Sequence, residues 1–230
     1  MRPWGPPSRR RMTEMMISAL ESRLQKQLEG AELALAQGRY EHAITAAGAV
    51  LKEHPACLSV RAFLRRAQLA HNRRGPNIFI RFRHSCQLRW AHAQLRRHPA
   101  RAVAVADQVL QTAMNQPMAL ALLGRAATAL GWSTTAIFAY DCAHLNRPDD
   151  AELALALGHA LLAGQQAAPA LQVAETVLQR QPHHVAAQHL RRQAAIAVAL
   201  AQGNWEAPGS YREKLRDLGV GSGAPPPPRP

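Results

Sequence analysis

A chain of 230 residues, 47% of them apolar, is long enough to bury a core as one domain or one short solenoid. Aromatics make up only 5% against abundant alanine, and no stretch sustains a period-2 alternation of β-branched residues. That excludes a substantial sheet and predicts an all-α fold. The formal charge of +13, from 28 Lys+Arg against 15 Asp+Glu, favours anionic partners: nucleic acid, acidic lipid or an acidic protein. Only Lys26, Lys52 and Lys214 are lysine, an arginine bias that a GC-rich coding genome also produces. Cys57, Cys86 and Cys142 are odd in number and widely spaced, so neither a disulfide framework nor a zinc site is indicated. This usage fits a reducing compartment such as the cytoplasm. The longest apolar run, 118–130, is interrupted by Arg125 and cannot span a bilayer.

Residues 1–12 carry Pro3, Gly5, Pro6, Pro7 and Arg9-Arg10-Arg11 without an apolar period and read as a disordered basic arm. They lack the apolar core of a secretory signal; their composition fits a cleaved presequence or an over-long start, with Met12 or Met15 the alternative beginnings. Thr13 can cap a helix carrying the stripe Ile17, Leu20, Leu24 and Leu28. The unit 24–57 then reads Gly38-Arg39-Tyr40, Ala43, Val50-Leu51 and Pro55. The glycine permits a tight turn between helices, the alanine lets them approach, and the proline ends the second helix.

With Gly38, Tyr40, Ala43 and Pro55 at these spacings, the chain resembles the tetratricopeptide repeat family. In that register the units are 24–57, 83–116, 117–150 and 151–184, with an extra helix at 58–72 and a closing helix at 185–202. The last three units repeat every 34 residues without a gap. Ala102, Ala136 and Ala170 share a column, followed by Val103, Ile137 and Leu171. Ala106, Tyr140 and Ala174 form the next, then Val109, Ala143 and Val177. Leu123-Gly124 recurs as Leu157-Gly158, and Pro148 as Pro182. The unit 83–116 departs from the family pattern, with Met114 in the proline position and Pro99 in that of the turn aromatic. The resemblance implies a right-handed α-solenoid of antiparallel helix pairs that acts by binding.

Four further segments flank this array. Residues 13–72 form an N-terminal part, and 73–82 (Arg73-Arg74-Gly75-Pro76, then Ile78-Phe79-Ile80-Arg81-Phe82) read as a linker or insertion before 83–202. Residues 203–219 hold a linker and a short helix, with Ser210 and Glu213 as a capping box and Tyr211, Leu215 and Leu218 on one face. That helix is expected to cap the apolar end of the array. Residues 220–230 are a Gly/Pro-rich tail.

The resemblance places a partner groove on the first helices of successive units. Carried over residue by residue, it is lined by His84, Gln87, Ala91, Gln94 and Leu95, then by Met118, Ala121, Arg125, Thr128 and Ala129. Glu152, Leu155, His159, Leu162 and Ala163 follow, then Ala186, His189, Gln193, Ile196 and Ala197. None is lysine or asparagine, which disfavours the family's clamp for chaperone C-terminal carboxylates. The surface suits a peptide or the apolar face of a partner helix; its apolar members read equally as plain inter-helix packing.

The alternative site is electrostatic. Between Glu53 and Asp107 there is no acid, but there are 11 arginines: Arg61, Arg65, Arg66, Arg73, Arg74, Arg81, Arg83, Arg89, Arg96, Arg97 and Arg101. Phe63, Phe79, Phe82 and Trp90 are interleaved. Guanidinium groups bind phosphate bidentately and aromatics stack on bases, so the run suits nucleic acid or another polyanion. The competing reading is a solvated charged face with the aromatics in the core. His183, His184 and His189 are poorly spaced as metal ligands, and Asp149-Asp150 reads as a helix N-cap. No catalytic motif or cofactor fingerprint is present, so no enzyme and no cofactor are expected.

Overall fold

The computed structural model describes residues 22–71 and 78–202. All ten helices among them are α-helices, and no strand occurs among the described residues. The expected basic arm, the short helix after Ser210 and the Gly/Pro tail lie outside the described residues.

The helices are α1 (Ser22–Ala36), α2 (Tyr40–Glu53), α3 (Leu58–His71), α4 (Ile78–Gln94) and α5 (Pro99–Thr112), then α6 (Pro117–Leu130), α7 (Ser133–Asn146), α8 (Ala151–Ala163), α9 (Ala167–Arg180) and α10 (Val185–Gln202). The helix pairs fall within the sequence units 24–57, 83–116, 117–150 and 151–184, to within a few residues at their ends. One boundary is corrected. Residues 78–82 are the first turn of α4, because an apolar run without Gly or Pro continues the helix rather than interrupting it. The molecule divides into two compact units, one reaching to Leu153 and one from Ala154.

Small residues set the packing. Ala43, Ala102, Ala136 and Ala170 hold one position in the four pairs, and all are buried. The columns Ala47, Ala106, Tyr140, Ala174 and Val50, Val109, Ala143, Val177 are buried as well. Members of a column lie on one helical face, three or four residues from the next column, so each second helix presents a continuous buried stripe. Where a larger side chain enters, a glycine makes room. A Cβ on Gly124 of α6 would stand 2.7 Å from the Tyr140 ring of α7. Within the second unit, Leu190 of α10 lies over Gly158 of α8, the counterpart of Gly124, while the counterpart of Tyr140 is Ala174. One steric slot is filled from two different helices.

The turns repeat too. Gly38 and Gly131 have φ of +75° and +78°, and Gln165, at the same place in its pair, has φ +60°. Each closes a Schellman motif. Arg39 N–H donates to the Ala34 carbonyl at 2.8 Å, Trp132 N–H to Ala127 at 2.8 Å, and Gln166 N–H to Leu161 at 2.8 Å. At the α4–α5 turn the equivalent residue is Arg97, and His98 N–H instead bonds the Gln94 carbonyl at 2.9 Å. Trp132, which follows Gly131, is the bulkiest of the fully buried side chains.

In the first unit, α3 packs on α2 and reaches α5 through polar groups. Arg61, Arg65 and Gln68 stand on one face of α3. Arg61 Nε and Nη2 donate to the two Asp107 carboxylate oxygens at 3.2 and 2.7 Å. Gln68 Nε2 donates to the carbonyls of Leu110 (2.8 Å) and Gln111 (3.2 Å). Arg65 donates to the Met114 carbonyl at 3.1 Å and to Asn115 Oδ1 at 3.2 Å. The acceptors Leu110 and Gln111 belong to the last turn of α5, whose carbonyls have no partner within their own helix. Burial pushes the Asp107 carboxyl above the usual carboxylate range, and the Arg61 guanidinium pulls it part of the way back. Residues 22–71 are thus joined to α5 across residues 72–77.

Two outcomes are expected from these contacts. A residue other than glycine at positive φ carries a penalty of roughly 1–2 kcal/mol, less the backbone entropy that glycine brings. Gln165→Gly should therefore raise stability by about 1 kcal/mol in urea titrations, and an unchanged midpoint would place the strain elsewhere. Removing one member of a buried ion pair strands the other, so Asp107→Ala should cost about 3–5 kcal/mol. The apolar double variant Arg61→Met/Asp107→Leu should recover most of that loss, and equal losses in the two proteins would contradict this account.

Candidate functional site

Helix α4 packs on α5 and α6. Its inward face is His84, Leu88 and Ala91, all buried at spacings of four and three residues. This turns the next face of the helix, Arg89 and His92, toward α6. There Leu88, Arg89 and His92 face Met118, Ala121, Leu122 and Arg125 across a cleft of about 400 Å³. Its floor is apolar, its polar groups are basic, and no carboxylate lines it.

Arg125 is held rather than free. Its Nη1 donates to His92 Nε2, and its guanidinium donates to the Tyr140 hydroxyl, which is also hydrogen-bonded to Thr128. Thr128 Oγ1 in turn donates to the Gly124 carbonyl at 2.9 Å. Burial raises the Tyr140 hydroxyl above its ordinary pKa, while the Arg125 charge and hydrogen bonding with the neighbours Thr128 and Arg125 act in the opposite direction. The slot over Gly124 therefore does two things: it seats the Tyr140 ring, and it brings the phenol to the guanidinium that edges the cleft.

Of the groove residues expected from sequence, Met118, Ala121 and Arg125 line this cleft. Thr128 supports it through Tyr140. Gln87, Gln94 and Leu95 are half-buried on or just past α4 and do not line it. Three residues are corrected outright. His84 (4% exposed), Ala91 (3%) and Leu155 (5%) are packed inside and present nothing to a partner. The α4 register slips because Leu88 and Ala91 supply the apolar stripe against the core, which turns Arg89 and His92 rather than Gln87 and Ala91 toward α6. Leu88 and Ala91 form an apolar pair at helical spacing, but Phe82, Cys86 and Trp90 form another on the opposite face, so spacing alone does not set the rotation. Glu152 is exposed at the start of α8, with its N–H bonded to Asp150 Oδ1 at 3.1 Å, so Asp150 is the expected cap. His159 and His189 are exposed and Leu162 is half-buried in the second unit.

The arginine run divides. Arg61 is buried against Asp107, and Arg65 is committed to Met114 and Asn115, so both leave the polyanion set. Arg66 is exposed and lies 5.4 Å from the Phe63 ring centre. Arg83, Arg89, Arg96, Arg97 and Arg101 are exposed. Arg73, Arg74 and the side chain of Arg81 lie outside the described residues. Phe63 is core as expected, but Phe82 (73% exposed) and Trp90 (54%) are on the surface.

No known protein family, characterised protein or solved structure matches the chain.

His84 carries a pH dependence. Its Nε2 is 3.5 Å from Thr112 Oγ1, and burial, followed by the Arg83 charge, lowers its pKa below the usual 6.5. Protons therefore bind the unfolded chain first. The stability that neutral His84 lends is whole above pH ~6.5 and declines as pH falls below it, until the folded ring is protonated as well. Melting temperatures between pH 7.5 and 5 should fall more steeply for the natural chain than for His84→Leu, and parallel curves would remove His84 as the cause.

Proposed function

We propose that this chain is a non-catalytic helical-repeat adaptor on the tetratricopeptide plan, and that it holds a partner's peptide or amphipathic helix in the cleft between α4 and α6. The observation that carries the reading is the lining of that cleft. Leu88, Ala121, Leu122 and Met118 offer an apolar floor, and Arg89, His92 and Arg125 form a basic rim. A segment presenting an apolar side chain beside a carboxylate satisfies both. The bonds from Arg125 to His92 and Tyr140 fix the cation in advance, which lowers the ordering cost of binding. The family resemblance supports the same face, since α4 and α6 are the first helices of consecutive 34-residue units.

The second reading, polyanion binding through residues 61–101, retains Arg66, Arg83, Arg89, Arg96, Arg97 and Arg101 as exposed cations. Salt separates the two. Capture of lysate components on the full chain, with and without nuclease, should leave a discrete protein bound through high salt if the cleft does the work. A photo-crosslinker in place of Met118 should label that protein, and Ala121→Trp, which fills the cleft, should reduce its capture about tenfold or more without lowering the melting temperature. Nucleic acid released at moderate salt, with its associated proteins lost on nuclease treatment, would move the function to the arginines.

A further inference from the structure

Helix α4 has a second apolar face, and none of the described residues covers it. Phe82, Cys86 and Trp90 follow one another at four-residue spacing, so they form a single stripe about 12 Å long. Ala93 continues it. All four are exposed, on the side of the helix opposite the buried His84, Leu88 and Ala91. A helix apolar on both faces is ordinarily buried on both. The edges of the outer stripe are cationic: Arg83 stands on one side, Arg89 on the other, and the exposed Arg96 and Arg97 follow at the end of the helix. No carboxylate lies on α4 or anywhere between Glu53 and Asp107 in the chain.

We propose that this outer face of α4 docks the protein on an anionic lipid surface, with Phe82 and Trp90 seated among the headgroups and Arg83 and Arg89 paired with lipid phosphates. Charge complementarity selects the occupant. A second copy of the chain would set arginine against arginine, which excludes a self-interface on this face. Single-stranded nucleic acid is bound in grooves that track its backbone, whereas this face is the convex side of one helix. A bilayer interface needs no matching groove. It receives a ridge whose aromatic side chains sit at headgroup level, between cations that reach the phosphates on either side. No helix among the described residues is long and apolar enough to cross a membrane, so the attachment is peripheral.

The chain carries its own reporter for this. Cys86 lies within the stripe and is exposed, while Cys57 and Cys142 are buried, so a thiol-reactive environment-sensitive dye marks this face in the folded protein. The test is co-sedimentation of the full, unlabelled chain with vesicles of phosphatidylcholine alone or of phosphatidylcholine and phosphatidylserine at 7:3. The dye-labelled chain is read in parallel. Binding to the anionic vesicles, a blue-shifted dye and release at high salt are expected. Phe82→Ser/Trp90→Ser should weaken partitioning about tenfold or more, and Arg83→Glu about fivefold or more, with melting temperatures unchanged because these side chains are exposed. Equal binding to both vesicle types, anionic binding that none of these substitutions reduces, or no vesicle binding at all would overturn the proposal. Binding of a single-stranded oligonucleotide, lost in the same variants and without affinity for vesicles, would reassign the face to nucleic acid. None of these substitutions touches the residues that line the α4–α6 cleft, so a loss of vesicle binding in them is distinguishable from a loss of partner binding there.

Discussion

Close approach of helices through columns of alanine is the constraint on which the architecture rests. A chain with few aromatics has little area to bury per residue, and it reaches a useful core only if helix axes come near one another. Ala43, Ala102, Ala136 and Ala170, with the small residues one turn along, remove the side chains that would hold the axes apart. The exceptions follow from the same rule. Tyr140 fits because Gly124 lacks a Cβ, and Leu190 enters the corresponding space over Gly158. Enlarging any member of these columns would displace a whole helix, since packed interiors do not deform by fractions of a side chain.

Most of the secondary structure was legible in the sequence, because it is written in local chemistry repeated at a fixed period. Gly38 announces a turn, and the buried columns are those that alignment at 34 residues produces. What failed to show was orientation. Helix α4 shares the spacing of its neighbours, but with a buried histidine, surface aromatics and apolar residues on two faces it offers no single stripe by which to set its rotation. The cleft residues Leu88, Arg89 and His92 were missed for that reason. Arg61 was misread for another. Composition counts charges without partners, and the carboxylate that neutralises Arg61 lies 46 residues away in the chain.

The arginine-rich segment therefore does three kinds of work that its composition runs together. Arg61 and Arg65 hold helices to one another. Arg89, beside Arg125 and His92, edges a concave apolar surface. Arg83, Arg96, Arg97 and Arg101 remain in solvent with nothing to neutralise them within their own stretch of sequence. A single charge total conceals this division, and burial resolves it.

The clasp between α3 and α5 has a consequence for the order in which the molecule assembles. Pairs such as α1–α2 and α6–α7 close over short turns, so they can form from local contacts. The clasp spans 42 to 50 residues, and several of its acceptors are main-chain carbonyls at the end of a helix. Those carbonyls converge in the right direction only when α5 is already wound. The joint thus recognises a finished helix rather than a set of side chains, and it makes the seating of the N-terminal helices conditional on the helix they meet.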